Sequence, residues 1–259
     1  MFEIFRRLCA DLGYQLLLLL SAGRYLPRAW RRRGQIADQL YVAAVQVVHV
    51  VLLVGLFSGM ILALQTGIEL ARFGQQDQIG PIVALSIARE MGPFITGIVL
   101  AATVGSAVAA ELGTMSVSDE LSALEILSID RDDYLVMPRL VALAIAGPLL
   151  TLICDGIGIL GGALVAQSQL EVSTRLYLDG AFDSLRDSVT WFAFPKDVAV
   201  GLFKSFVFGA LIAAIACTAG VQARGGALGV GRATRTAVRD SIIAIIVVNY
   251  FLTWVFYSG

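Results

Sequence analysis

Residues 79–112 read IGPIVALSIAREMGPFITGIVLAATVGSAVAAEL, an almost unbroken run of apolar and small residues. This run is longer than the roughly 20 residues that a helix needs to cross the hydrocarbon of a bilayer. It nevertheless contains two adjacent charged residues, Arg89 and Glu90. The stretch therefore predicts a membrane-spanning helix whose charged groups need partners inside the membrane.

The composition of the whole chain points to the same class. Of the 259 residues, 58% are hydrophobic and 15% are charged, and the mean hydropathy is +0.80. Such values lie outside the usual range of soluble domains. The net charge of −1 argues against a polyanionic partner, and the three widely spaced cysteines have no metal-ligand spacing. We expect a single all-α integral membrane domain over residues 1–259, with no metal site.

Five stretches are long and apolar enough to span a bilayer. They cover residues 41–68, 79–112, 138–166, 198–221 and 240–256. Residues 169–196 lie between the third and fourth stretches and include Tyr177, Phe182 and Asp183. We expect a short helix there along the outer membrane interface, either as an anchor or as a docking site for an external partner. No internal repeat is apparent.

Residues 1–34 form a separate N-terminal segment. Its apolar run, from Tyr14 to Ala22, is too short to span. An amphipathic helix lying in the membrane interface is favoured by the apolar residues at helical spacing, which are Phe2, Phe5, Leu8, Leu12 and Leu16. A signal peptide is the alternative, because Arg6 and Arg7 precede the apolar run.

The distribution of lysine and arginine predicts the orientation. Thirteen lie in the N-terminal segment and in the loops after the second and fourth spans, and four lie on the opposite side. Because cytoplasmic loops are enriched in these residues, the N-terminus should be cytoplasmic and the C-terminus should lie outside.

The loop after the second span contains a candidate helix over residues 118–128. Ser118 is a potential N-cap. Apolar residues at helical spacing are Leu121, Leu124 and Leu127, and the acidic residues beside them are Asp119, Glu120 and Glu125. So short a helix is marginal in water, and its leucine face needs either the membrane surface or another protein as a partner.

The two adjacent charges of the second span cannot pair simply with each other, because neighbours on a helix point about 100° apart. Candidate partners are Asp155 in the third span and Asp197 and Lys204 in the fourth. We expect Glu90 to pair with Lys204 and Arg89 with Asp197. The pairs are either structural clamps between helices, or groups near a cargo cavity that rearrange or meet a headgroup.

Small residues four apart indicate close helix packing. They form three series, which are Gly55 with Gly59, Gly158 with Gly162, and Ala101 with Gly105 and Ala109. The loop after the fourth span reads ARGGALGVGRAT at residues 223–234 and does not complete the phosphate-binding pattern G-x-x-x-x-G-K-[ST]. We therefore expect no nucleotide site, no catalytic residue and no cofactor in this chain.

Several motifs together resemble the MlaE family, the permease subunits of ABC lipid transporters that work with MCE-domain proteins. In chain order they are AREMGP, AAELGTMSVSDELSALEILSID, MPRL, GILGG and GVGRAT. The family usually has Glu-Gln where this chain has Asp119 and Glu120, and Gly and Pro where it has Ser128 and Arg131.

The resemblance implies a homodimer in the bacterial inner membrane that moves phospholipid, or a similar lipid, to or from a periplasmic MCE protein for outer-membrane lipid homeostasis. It also implies that residues 119–128 couple to a cytoplasmic ATPase, which would bind ATP and Mg. An apolar wall for the lipid's acyl chains would come from Phe57, Ile61, Leu64 and Phe94. An ion-coupled secondary transporter and a membrane scaffold that recruits cytoplasmic proteins are the alternatives.

Overall fold

The computed structural model describes residues 13, 21, 23–187, 190–191 and 194–258. The predicted interfacial helix over residues 1–34 lies largely outside the described residues. Its described end forms a 3-10 helix over Leu26–Arg32, followed by α1 over Arg33–Leu40.

Five helical segments within the described residues are long and apolar enough to cross a membrane. They cover Trp30–Arg72, Gln76–Val117, Asp132–Gln169, Lys196–Val221 and Gly226–Tyr257. Each contains one of the predicted stretches. The predicted all-α membrane fold is therefore confirmed.

The first three spanning segments are interrupted by short turns of π-helix. The first segment contains a π-helix over Tyr41–Val45 and α2 over Val48–Arg72. The second begins with a 3-10 turn over Gln76–Gln78 and continues through α3 over Ile79–Ser86, a π-helix over Ile87–Met91, α4 over Gly92–Leu100, a π-helix over Ala101–Gly105 and α5 over Ser106–Val117. Single π-turns often mark functional positions in helices.

The remaining elements complete the chain. A seven-residue helix, α6, covers Glu120–Ile126. After a π-helix over Asp132–Val136, α7 covers Met137–Gln169 and α8 covers Thr174–Asp187. A short antiparallel strand pair, with two residues in each strand, consists of β1 over Thr190–Trp191 and β2 over Phe194–Pro195. It leads into α9 over Lys196–Val221, and α10 covers Gly226–Tyr257.

The chain divides into two compact units. The first unit contains Met1–Gln46, Leu100–Ala146 and Val207–Val248, and the second contains Val47–Val99, Gly147–Phe206 and Asn249–Gly259. In the first unit, Gly209 of α9 lies against the backbone of Leu143, where a Cβ atom would overlap the Leu143 carbonyl oxygen. The buried Arg139 pairs with Glu111 at 2.7 Å.

The core of the second unit is formed by α2, α3, α7 and α8, and it surrounds Tyr177. A Cβ atom at Gly80 would overlap the backbone of Tyr177, and one at Gly162 would overlap its hydroxyl group. The sequence suggested Tyr177 as part of an interfacial segment, but this side chain is buried because two glycines make room for it. Phe182 and Asp183 of the same helix are exposed.

The predicted glycine seams are places of close contact. A Cβ atom at Gly59 of α2 would overlap the carbonyl of Gly158 of α7. In the first unit, a Cβ atom at Gly105 would lie 3.0 Å from a methyl group of Ile212. Here the small residues allow two helix backbones to approach, as the spacing predicts.

Candidate functional site

The charged cluster of the second unit is built around the π-helix of Ile87–Met91 and the proline that follows it. Pro93 has no N–H group, so the carbonyl of Arg89, four residues earlier, loses its helical donor. The Gly92 N–H bonds to the carbonyl of Ile87, as a π-turn requires. Lys204 of α9 supplies the missing donor, with its Nζ 3.1 Å from the Arg89 carbonyl oxygen.

Lys204 is fully buried, and its ammonium group donates three hydrogen bonds. Besides the Arg89 carbonyl, its Nζ donates to Glu90 Oε1 at 2.6 Å and to Thr253 Oγ1 at 2.8 Å. Glu90 Oε1 also lies 2.8 Å from Thr253 Oγ1, and Glu90 Oε2 accepts from Asn249 Nδ2 at 2.9 Å. The Glu90–Lys204 ion pair that the sequence predicted is present, and hydrogen bonds surround it.

The second predicted pair is also present and is bidentate. Arg89 Nε and Nη2 donate to the two oxygens of Asp197 at 2.6 and 3.0 Å. The Tyr257 hydroxyl donates to Asp197 Oδ1 at 2.8 Å. The guanidinium of Arg89 and the ammonium of Lys196 lie 5.1 and 5.2 Å from the centre of the Tyr257 ring.

Sequence reasoning missed the contribution of the last helix. Asn249, Thr253 and Tyr257 of α10 bind the carboxylates of Glu90 and Asp197. Their spacing of four residues places them on one face of an otherwise apolar helical end. That polar stripe was the signal that could have identified them.

The predicted lipid-wall residues do not share one environment. Phe57 and Ile61 are exposed on the same face of α2. Leu64 packs against the core of the second unit, and Phe94 of α4 is half-buried. Contact with lipid stays a prediction for all four residues.

The predicted cytoplasmic helix is shorter than the sequence suggested. It begins after Asp119, whose φ of 60° is left-handed, and no side chain caps it. The proposed N-cap at Ser118 is wrong, because its hydroxyl group donates back to the carbonyl of Thr114 at 3.0 Å. The helix ends at Ile126, and Ser128, two residues later, has a φ of 59°.

The leucine stripe of α6 is only partly available to a partner. Leu121 is buried and Leu124 is half-buried, whereas Ile126 and Leu127 are 84% and 69% exposed. The acidic residues at the beginning and middle of the helix, Asp119, Glu120 and Glu125, are exposed. The apolar surface of α6 is therefore its C-terminal tip.

A cleft of about 510 Å³ lies in the first unit between α6 and residues 221–226. Its charged lining residues are Asp119, Glu125, Arg131 and Arg224. Arg131 Nη1 lies 3.4 Å from Glu125 Oε1. The cleft thus adds a polar surface beside the apolar tip of α6.

Three carboxylates after α6 bind the N-terminal segment. Ser21 Oγ donates to Asp132 at 2.8 Å, and the Tyr25 hydroxyl donates to Asp130. The hydrogen bond from Tyr25 is the main reason that the pKa of Asp130 lies below its ordinary value.

Arg32 completes this connection. Its guanidinium pairs with the carboxylate of Asp133 and lies 5.1 Å from the centre of the Tyr134 ring. The loop that follows α6 is therefore tied to residues 21–32.

These features define a class of protein, a polytopic α-helical membrane protein with an internally paired charge cluster and a short helix in the loop after the second spanning segment. A family-wide sequence profile described as Permease MlaE matches residues 36–255. The chain belongs to the MlaE permease family.

Named relatives extend over nearly the whole chain. A probable ABC transporter permease protein of Rickettsia bellii is 38% identical over 97% of this chain and 94% of its own length. The intermembrane phospholipid transport system permease protein MlaE of Haemophilus influenzae is 32% identical over 96% of this chain and 92% of its own length. The chloroplastic protein TRIGALACTOSYLDIACYLGLYCEROL 1 of Arabidopsis thaliana is 39% identical over 89% of this chain and 63% of its own length.

Proposed function

We propose that this chain is the permease subunit of an ATP-driven ABC transporter that moves phospholipid, or a similar lipid, between the inner membrane and a periplasmic MCE protein. The observation that carries the proposal is membership of the MlaE family, together with a relative named for intermembrane phospholipid transport. Two copies of the chain enclose the lipid, with the N-terminus in the cytoplasm and the C-terminus in the periplasm. The transport serves outer-membrane lipid homeostasis.

The energy comes from a separate cytoplasmic ATPase that binds ATP and Mg. Its docking element on this chain is α6, where Ile126 and Leu127 supply exposed apolar contacts. Asp119, Glu120 and Glu125 supply the charged rim, and the buried Leu121 with Leu124 attaches the helix to its own unit. A seven-residue helix so attached moves with the loop that carries it, so displacement by the ATPase reaches the helices on either side.

The charged cluster supports a structural role in this transporter. Each oxygen of Glu90 and Asp197 has a hydrogen-bond donor within the second unit, so both carboxylates are already paired by the chain's own groups. The cluster holds the end of α10 against the π-helix of Ile87–Met91. The same saturation argues against an ion-coupled transporter that uses these charges as its path.

The first experiment is a co-purification from native membranes. The tagged full-length chain is extracted in mild detergent, and its bound proteins and lipids are identified by mass spectrometry. We expect an ABC ATPase, an MCE protein and phospholipid with the wild type, and loss of the ATPase alone with Leu127→Glu. Leu176→Glu makes the same chemical change at an exposed leucine of α8 and should retain the ATPase.

A well-folded wild-type chain that brings down no ATPase would overturn the proposal. Reconstituted vesicles then separate the alternatives, because ATP-dependent movement of a labelled phospholipid supports the proposal. Movement that depends on an ion gradient supports a secondary transporter instead, and protein capture without lipid movement supports a scaffold.

A further inference from the structure

Asp155, in the middle of α7, is a buried carboxyl group that the charged cluster does not use. It is 8% exposed, and its Oδ1 has no hydrogen-bond partner among the described residues. Other acids of the second unit behave differently. Asp197, which is 1% exposed, receives a bidentate arginine and a tyrosine hydroxyl.

The position of this carboxyl depends on a glycine. Oδ1 lies so close to Gly92 that a Cβ atom at position 92 would overlap it. Gly92 is the first residue of α4, directly after the π-helix. The glycine therefore makes the space in which the Asp155 carboxyl is buried.

Further polar groups lie along the same α4–α7 seam, which we define as Gly92 and Thr96 of α4 with Thr151, Cys154 and Asp155 of α7. Thr96 and Thr151 are fully buried, and the Thr151 hydroxyl oxygen has no partner among the described residues. Thr96 lies beside the Cys154 thiol. A cavity of about 10 Å³, lined by Gly92, Cys154 and Ser58, adjoins the seam, which is about the room that one water molecule needs.

Within the described part of the second unit, no cation forms an ion pair with Asp155. Arg89, in the π-helix before α4, is paired with Asp197, and Lys204 of α9 is paired with Glu90. On α2, His49 is exposed. The titratable neighbour on its own helix is the Cys154 thiol, which is not a cation.

Burying an unpaired ionised carboxylate in an apolar interior costs far more free energy than losing a hydrogen bond. The carboxylate must therefore bind either a cation or a proton. A calcium ion takes six to eight oxygen ligands. The described residues hold no group of three or more His, Cys, Asp or Glu side chains suited to a metal, and the adjoining cavity admits one water. A proton is the ligand that this space can accept.

We propose that Asp155 is a proton-binding site, protonated while α4 and α7 are packed together and deprotonated when the α4–α7 seam opens to water. The ligand is a proton, and the carboxyl releases it to solvent without any other reactant. A conformational change that separates the two helices is then linked to pH. Because the two states differ by one bound proton, their ratio changes about tenfold per pH unit.

Infrared spectroscopy on the full-length chain in lipid nanodiscs tests the proposal directly. At neutral pH we expect a carbonyl band of a protonated carboxyl group that shifts in deuterated water and disappears in Asp155→Asn. The matched control is Asp183→Asn, which changes an exposed acid of α8 and should leave the band intact. Absence of the band in the wild type, or its survival in folded Asp155→Asn, overturns the proposal.

Stability against pH gives an independent readout. The folded state holds a proton that the unfolded carboxyl releases above about pH 4, so rising pH should lower the folding constant about tenfold per unit through this site. Asp155→Asn should lose that component, and Asp183→Asn should keep it.

If Asp155→Asn does not fold, wild-type protein with isotopically labelled aspartate decides the question, because the band must move with the label. A carboxylate band that responds to replacement of sodium by choline would identify a cation instead and overturn the proposal. Neither experiment involves the ATPase or lipid transfer, so its failure is distinguishable from failure of the proposed function.

Discussion

The pair of Glu90 with Lys204 and the pair of Glu125 with Arg131 each join a glutamate to a basic side chain, in two different environments. Lys204 is fully buried, and its Nζ lies 2.6 Å from the carboxylate. Glu125 is 61% exposed, and its oxygen lies 3.4 Å from Arg131. The first pair also carries hydrogen bonds from Asn249 and Thr253 to Glu90.

The difference shows where charge determines structure in this chain. Removing one partner of a buried pair leaves an uncompensated charge and costs about 3–5 kcal/mol. An exposed pair contributes about 0–1 kcal/mol, because water replaces the missing partner. We therefore expect the cluster of the second unit to contribute strongly to stability, and the loop charges of the first unit to contribute little.

Lys204→Met should have the largest effect on stability and tests the difference between the two pairs. We expect a loss of about 3–5 kcal/mol in the free energy of unfolding, because Glu90 is stranded and the Arg89 carbonyl loses its donor. Arg131→Met is the matched control and should cost less than about 1 kcal/mol. Reversible unfolding in mixed micelles measures both, and equal losses would remove the distinction between the two regions.

A charge exchange sharpens the same point. Glu90→Lys combined with Lys204→Glu restores the ion pair but leaves the Arg89 carbonyl without a donor, because a carboxylate cannot donate to it. We therefore expect only partial recovery of stability relative to Lys204→Met. Full recovery would show that the carbonyl left open by Pro93 has no energetic importance.

Gly59→Ala tests how much of the second unit's stability comes from packing instead of charge. The new methyl group would overlap the Gly158 carbonyl, and overpacking of this kind costs about 1–3 kcal/mol. Gly156→Ala is the control, since nothing lies within 4 Å of a Cβ atom there. That change should stabilise the helix by up to about 1 kcal/mol, as alanine favours helix over glycine, and the opposite ranking would contradict the glycine seam.

Tyr25→Phe examines the loop region through pH. The hydrogen bond from Tyr25 lowers the pKa of Asp130, so its stabilising contribution is present above the unfolded value of about 3.9 and is lost as pH falls through the lower folded value. At neutral pH we expect the variant to unfold at a slightly lower temperature than the wild type. The gap should close in acid, and Tyr25→Phe should have no such effect in an Asp130→Asn background.

Ser128→Gly should have the smallest effect and the opposite sign. Ser128 adopts a φ of 59° at the end of α6, with its N–H bonded to the Glu125 carbonyl and the Ile129 N–H bonded to the Leu124 carbonyl. Glycine adopts this left-handed conformation without the steric cost that a Cβ atom imposes, so we expect a gain of up to about 1 kcal/mol. Thermal unfolding of the full-length chain measures it, and destabilisation would show that the serine side chain contributes something that the backbone does not.

The pairing of the membrane charges could be predicted because so few charged residues occur in the spans. Once Arg89 and Glu90 were assigned to one helix, Asp197 and Lys204 were the suitable partners two turns apart on another. Asn249, Thr253 and Tyr257 were missed because hydroxyl and amide groups are common near helix ends and carry no charge to mark them. The buried side of α6 was also missed, since periodicity identifies an apolar face but not whether the chain itself covers it.

The sequence by itself determined the membrane class, the five spanning helices and the two ion pairs, because apolar length and unpaired charge have large free-energy costs that leave few arrangements. Only the tertiary structure decided that Lys204 completes the carbonyl left open by Pro93, and that Tyr177 is buried between Gly80 and Gly162. It also decided that Ile126 and Leu127, instead of Leu121, form the exposed tip of α6. These features depend on which backbones approach within contact distance, and that is set by packing over many residues, not by local pattern.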